Sequence, residues 1–297
     1  MRNNLREFCP VCNSRLRHKK RMELYLECIG CRCLVTKIEY SEESIREYYS
    51  AYKTDAIESI DGVIRKRISS EIIKLTKKID DARNFYDFGF GSGVYLIEAQ
   101  RLGLNCFGYE YSDHLNKRIK DLGITIESDT ELHSPSSEKM DIFIVIETLE
   151  HLIVPTETLR TAHARLRNGG VLYMTTPNAR SLNRKILAGK WSVFNPPEHL
   201  VVFSRESLRK TLMELGFSDI QILTTGFNPF DFISNIRGTA TLKNSSFSYE
   251  GVDRTNLSRK LISLAERAIF IKSLFRLINW CLVVTGQGDS LKITAVK

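Results

Sequence analysis

The sequence predicts an α/β protein built on a doubly wound sheet, and three observations carry that prediction. An apolar, aromatic run at 84–88 passes into glycines at alternate positions, Gly89, Gly91 and Gly93, and then into 94–102, whose apolar spacing is helical. The segment 141–146 is a nearly unbroken apolar run of the kind a strand buried on both faces requires. After residue 110, helical and strand-like patterns alternate, as in a sheet wound from βα units.

The first 40 residues precede that pattern and read as a separate module. Cys9 and Cys12 form one Cys-x-x-Cys pair and Cys28 and Cys31 a second, with 15 residues between the pairs. At this spacing four thiolates close tetrahedrally on zinc, which predicts a zinc ribbon; a closed four-cysteine site leaves no open position for catalysis. Cys33 offers a competing ligand, and spacing favours Cys31. Cys106 and Cys281 fall in apolar runs and are expected in the core. Between the knuckles runs a basic cluster from Arg15 to Arg21, either a solvated hairpin or a phosphate contact.

From 41 to 81 the pattern is helical. Ile45, Tyr48, Tyr49 and Tyr52 fall at i, i+3, i+4 and i+7, and Val63, Ile64, Ile68, Ile72, Ile73, Leu75 and Ile79 continue a stripe. Two linking helices are the economical reading. The glycine turn follows. A chain reversing from strand to helix needs positive φ, and a backbone without Cβ lets a ligand press close, so a ligand is expected here. The dinucleotide pattern Gly-x-Gly-x-x-Gly fails, because its last position is Val94 or Leu96. The phosphate loop fails too, since no lysine follows before Lys117.

What remains, Asp-x-Gly-x-Gly-x-Gly at Asp87, Gly89, Gly91 and Gly93, resembles the first motif of class I S-adenosylmethionine-dependent methyltransferases. The next strand ends in Glu110, 21 residues after Gly89. An acid at the carboxyl end of that strand accepts hydrogen bonds from ribose hydroxyls. The resemblance gives Glu110 that role, sets Tyr111 beside the adenine, and implies a seven-stranded Rossmann-like methyltransferase sheet. It also makes the tyrosines near 48–52 candidates for a lid over the cofactor, against plain packing. After a helix at 113–122 and a short strand at 124–127, Asp129 is the expected partner of the adenine amino group, with Glu131 competing.

At the carboxyl end of strand 141–146 stand Glu147, Glu150 and His151. A helix, Asn168-Gly169-Gly170, a strand at 171–175 and Pro177-Asn178 follow, and later Glu198-His199-Leu200. This series resembles the ubiquinone-biosynthesis-like group of class I methyltransferases, over about residues 84 to 225. A histidine at that edge suits a general base for methyl transfer, so His151 is expected to take the acceptor's proton, with Glu150 orienting it and His199 beside them. His151 capping a helix is the plainer reading. A sharper one has Glu147, Glu150, His151 and His199 holding a divalent cation, as in small-RNA ribose 2′-O-methyltransferases.

Ser204 to Gly216 reads as a capped helix, 217–224 as a strand and 290–296 as the final strand. Between those strands about 60 residues form an insertion, 226–286, expected to be helical and to overhang the acceptor site together with 177–203, including Trp191 and Phe194. Leu257 to Val284 alternates apolar residues with Arg259, Lys260, Arg267, Lys272 and Arg276. Such a helix could lie on a lipid surface, or pack on the core or on a second subunit.

The domain expectation is a zinc ribbon at 1–40, linking and lid helices at 41–81, and a methyltransferase domain at 82–297. The net charge of +8 favours acidic partners such as phosphorylated or lipid-linked saccharides or nucleic acid, and selects none of them. Without a secretory segment at the start, a cytoplasmic location is expected. The resemblance implies S-adenosylmethionine as cofactor and a small hydroxylated acceptor such as a sugar. The alternatives are a metal-assisted RNA ribose methyltransferase and a non-catalytic zinc-ribbon binding module.

Overall fold

In chain order the structure, a computed structural model, has strands β1 (Leu16–His18), β2 (Tyr25–Cys28) and β3 (Leu34–Thr36), helices α1 (Glu42–Ser50) and α2 (Gly62–Thr76), β4 (Asn84–Phe88), α3 (Val94–Arg101), β5 (Asn105–Tyr109), α4 (Asp113–Lys120), β6 (Thr125–Ile126) and α5 (Asp129–Leu132). There follow β7 (Met140–Ile146), α6 (Pro155–Arg165), β8 (Leu166–Pro177), α7 (Leu182–Leu187), β9 (Val201–Val202), α8 (Arg205–Glu214), β10 (Ser218–Thr225), α9 (Ile269–Val284) and β11 (Ser290–Val296). The described residues are 5–50, 62–134, 138–226 and 269–297, without the side chains of 269–276. Tyr52, most of the expected insertion, and the side chains of Arg259, Lys260, Arg267, Lys272 and Arg276 lie outside them.

The expected sheet is present: seven strands in the order β10-β11-β8-β7-β4-β5-β6, with β4 parallel to both β5 and β7, and β7 parallel to β8. The chain falls into two compact units. One comprises Met1–Glu39, Thr176–Ser207 and Ile222–Lys292, the other Tyr40–Thr175, Leu208–Gln221 and Ile293–Lys297.

In the first unit, β1, β2 and β3 form an antiparallel meander, and β9 extends it by pairing Leu34 with Val202 and Val35 with Val201. The cysteine module therefore shares both a sheet and a core with residues from much later in the chain. Met22, Tyr25 and Leu34 pack with Ala179, Trp191, Val193, Phe194 and Val202. Tyr25 stacks on Phe194 at 4.4 Å between ring centres and donates its hydroxyl to the His199 carbonyl at 2.6 Å. An offset aromatic pair adds about 0.5–1.5 kcal/mol to plain burial. Trp191 and Phe194, expected to line the acceptor site, are 2% and 6% exposed and belong to this core, because Tyr25 offers them an apolar partner.

In the second unit, the register aligns Asp87 with Gly108 and Phe88 with Tyr109, so β4 and β5 end level with each other. The glycine turn and Glu110 leave the sheet side by side. Phe85, Tyr86 and Phe143 are fully buried between the layers, and the Tyr86 and Phe143 rings stack at 4.7 Å. Gly108 has no side chain because Phe90 and Leu96 press on it; a methyl there would lie 2.9 Å from Phe90. Helix α2 buries Ile68, Ile72 and Leu75 at helical spacing, while Val63 and Ile73 of the expected stripe are exposed.

Two further expectations need correction. Cys106 is buried as foreseen, but Cys281 is exposed on α9. Its neighbours Leu277, Trp280 and Val284 are exposed as well, while Leu282 alone among the described side chains of α9 is deeply buried, so the apolar run is not all core. The strand expected at 171–175 runs from Leu166 to Pro177, taking in Gly169 at φ 77°.

Candidate cofactor and zinc sites

The four cysteines of the first unit come together. Their Sγ atoms all lie within 4.8 Å of one another, with Cys9 to Cys31 at 3.6 Å and Cys12 to Cys28 at 3.4 Å. A disulfide needs about 2 Å, whereas zinc bonded tetrahedrally at about 2.3 Å sets its sulfurs about 3.8 Å apart, so the donor set fits a closed zinc site. The knuckle backbone already serves the sulfurs: Val11 N–H donates to Cys9 Sγ at 3.4 Å and Cys31 N–H to Cys28 Sγ at 3.3 Å. Asn13 and Arg32 take positive φ where each knuckle turns away. Gly30 is required because a methyl there would strike Ser14 Oγ.

Burial raises the Cys12 thiol, yet hydrogen bonds with Ser14, Cys28 and Cys31 outweigh it and bring the group down to about 7, into the thiolate range a metal needs. Cys33, the competing ligand, donates its thiol to Ser207 Oγ at 3.1 Å and lies outside the group of four sulfurs. The neighbouring basic hairpin gathers around one acid, since Glu27 takes Arg17 at 2.6 Å and Lys19 at 3.0 Å.

In the second unit the turn after β4 has φ of 71° at Gly89, 48° at Gly91 and 73° at Gly93. These glycines answer to different neighbours. A side chain at Gly89 would strike Thr148, and one at Gly93 would strike Ile119, so both are glycine for packing. Nothing lies within 4 Å of a Cβ at Gly91, which leaves an open cradle against bare backbone. Glu110 stands next to it. Its Oε2 accepts from Gly91 N–H at 3.0 Å and its Oε1 from Tyr111 and Ser112 N–H at 2.8 and 3.2 Å. Carboxylate oxygens keep further lone pairs for hydroxyl donors. Burial raises Glu110 above the usual carboxylate range, and those three donors work against the rise.

Asp87 lies beneath the turn, buried, and its Oδ1 has no hydrogen-bond partner among the described residues. Burial, with the Glu110 charge adding to it, holds its carboxyl well above the ordinary range. The sign of the stability effect follows. The folded chain keeps this proton where the unfolded chain has lost it, so stability falls as pH rises above about 4. Asp87→Asn removes that cost. In melts at pH 4 and pH 8 the variant should match the wild type at the lower pH and exceed it by about 1–3 kcal/mol at the higher.

The two acids expected near the adenine amino group, Asp129 and Glu131, have different partners. Glu131 closes a capping box on Ser128, donor and acceptor both within α5's first turn. Asp129 instead meets the Tyr109 hydroxyl with Oδ1 and Arg46 with Oδ2, the latter at 3.1 Å. The Arg46 guanidinium also lies 4.6 Å from the Tyr111 ring centre.

Past β7 the chain turns sharply at Glu147, whose φ is 46°, into a 3₁₀ turn at Leu149–His151. The Thr148 hydroxyl lies between this bend and the glycine turn, 2.9 Å from the Ile146 carbonyl and 3.2 Å from that of Gly89, and shares its one proton between them. Burial raises the Glu147 carboxyl, while Thr175 and Glu150 beside it act the other way. Glu150 is fully buried, and the half-buried His151 meets the Tyr49 ring edge-on at 5.7 Å. His199 belongs to the first unit, where Nδ1 pairs with the Val193 carbonyl at 2.6 Å. A carbonyl only accepts, so Nδ1 carries a proton. Thr148, Tyr109 and Arg46 were not foreseen. Arg46 was detectable only as a cation inside the aromatic stripe at 45–52.

Sheet, glycine cradle and acid together define the class of S-adenosylmethionine-dependent methyltransferases. A methyltransferase domain family model matches residues 61–222, more than half of the chain, and the chain belongs to that family. Among curated proteins it is similar to the ubiquinone biosynthesis O-methyltransferase of Caulobacter vibrioides, 26% identical over 140 residues, covering 39% of this chain and 55% of the relative. The chain thus spans about half the length of that relative. Among solved structures, a SAM-dependent methyltransferase from Archaeoglobus fulgidus aligns at TM-score 0.49 and 18% identity, covering 78% of this chain and 94% of its own. The magnesium protoporphyrin IX methyltransferase of Synechocystis PCC 6803, solved with bound SAH, aligns at TM-score 0.49 and 15% identity, covering 64% and 95%.

Proposed function

We propose that the protein transfers a methyl group from S-adenosylmethionine to an oxygen, or with lower preference a nitrogen or carbon, of a small hydroxylated acceptor such as a sugar on a phosphorylated or lipid-linked precursor. The observation that carries this reading is the open cradle at Gly91 beside the Glu110 carboxylate. Gly89, Gly91 and Gly93 shape the seat, Asp87 supports the turn, Glu110 takes the ribose hydroxyls, Tyr111 flanks the adenine and Asp129 accepts from its amino group. Bound there, the cofactor supplies an electrophilic methyl. The chain's own residues align the acceptor and take its proton at His151, with Glu150 orienting the imidazole.

His151→Ala should leave cofactor binding unchanged and slow transfer by about 10²–10⁴-fold, as loss of a general base does. The measurement is calorimetry with S-adenosylmethionine alongside single-turnover methylation of candidate saccharide acceptors. Unchanged turnover would place the base elsewhere. A strict requirement for magnesium or manganese would favour the divalent-cation reading over simple base catalysis.

The cysteine cluster supports structural zinc, and the ribbon gives the first unit a metal-set edge. No helix among the described residues is long and apolar enough to cross a membrane. The exposed Leu277, Trp280 and Val284 on α9 support contact with a lipid surface, where a lipid-linked acceptor would reside.

A further inference from the structure

Helix α1 reaches both halves of the site in the second unit. Arg46 Nη2 is 3.1 Å from Asp129 Oδ2, and its guanidinium lies 4.6 Å from the centre of the Tyr111 ring. Three residues on, Tyr49 meets His151. Residues three apart share a helix face, so one face of α1 touches the adenine-side groups and the histidine read as the base. Glu42, a turn earlier, holds the same Nη2 at 3.1 Å and aims the guanidinium. Ile45 is the helix's one buried residue, and exposed ion pairs are individually weak, so α1 is an element that opens at low cost.

We propose that Arg46 is a cofactor-binding residue that latches α1 over the adenosine. With S-adenosylmethionine bound, the guanidinium holds Asp129 and Tyr111 and closes α1 as a lid; when the latch lets go, the cofactor enters or leaves. The proposal rests on the assignment of Tyr111 and Asp129 to the adenine. Arginine suits this task because its forked guanidinium donates to a carboxylate while lying over an aromatic face, a geometry that a compact, unforked ammonium does not reproduce. Arg46→Lys, though it keeps the charge, should therefore fail as Arg46→Ala does.

The test uses S-adenosylhomocysteine as the probe, with calorimetry for affinity and amide hydrogen exchange over 42–50 for the lid. In the wild type those amides gain protection when the probe binds. Both variants should bind about 3–10-fold more weakly and lose that gain. Restored affinity and protection in Arg46→Lys would overturn the stacked latch. Unchanged affinity and protection in Arg46→Ala, with Glu110→Ala still impaired, would overturn the proposal and leave the cofactor assignment standing. Unchanged binding in Glu110→Ala would bring down the assignment and the proposal together.

Discussion

Gly91→Ala should separate cofactor binding from folding. Gly91 has φ 48°, a conformation that costs a residue with a Cβ about 1–2 kcal/mol, and little further loss of stability is expected because, chain neighbours aside, no atom of the described residues lies within 4 Å of the new methyl. On the proposed seating, the methyl would meet the ligand. A side chain forced into a tight contact costs about 1–3 kcal/mol, so affinity for S-adenosylmethionine should fall about 10–100-fold. Gly89→Ala is the contrast, since its methyl strikes Thr148 and the variant should lose stability outright. Calorimetry and melts on the two variants decide the matter: wild-type affinity in a folded Gly91→Ala protein would place the cofactor elsewhere.

Cys28→Ser should have the largest effect on folding. Structural zinc contributes about 10–16 kcal/mol of apparent binding energy in small modules, and here the cysteine-bearing meander also carries β9 and the core around Tyr25 and Phe194. Elemental analysis should find stoichiometric zinc in the wild type and none in Cys28→Ser. The variant's amides at Tyr25–Cys28 should exchange freely, and its melting temperature should drop. Cys33→Ala provides the control, because Cys33 donates to Ser207 and is not one of the four grouped sulfurs. Retained zinc in Cys28→Ser, or lost zinc in Cys33→Ala, would contradict the ligand set.

The cysteine cluster and the glycine turn beside Glu110 were legible in the sequence for a shared reason: each is built from close neighbours along the chain. The knuckles are Cys-x-x-Cys turns, and the cradle is a strand, three glycines and a helix, with Glu110 at the end of the next strand. Spacing alone carries such features. What escaped depends on contacts between distant residues. Trp191 and Phe194 looked like acceptor-site aromatics because nothing near them in sequence discloses Tyr25, the partner that buries them. Pairing of β3 with β9 joins residues more than 160 positions apart, and no periodicity records it. Arg46 lay inside a stripe legible as packing, and only its position against Tyr111 and Asp129 gives it another role. Cys281 failed in the opposite direction, as an apolar run proved to have an exposed side.

The central claim is that the Gly91 cradle and Glu110 seat S-adenosylmethionine. The most direct test is isothermal calorimetry of S-adenosylmethionine into the zinc-loaded wild-type protein, with and without added magnesium. Micromolar-range binding that is indifferent to magnesium is the predicted result, and absence of binding in a folded, zinc-replete protein would contradict the account.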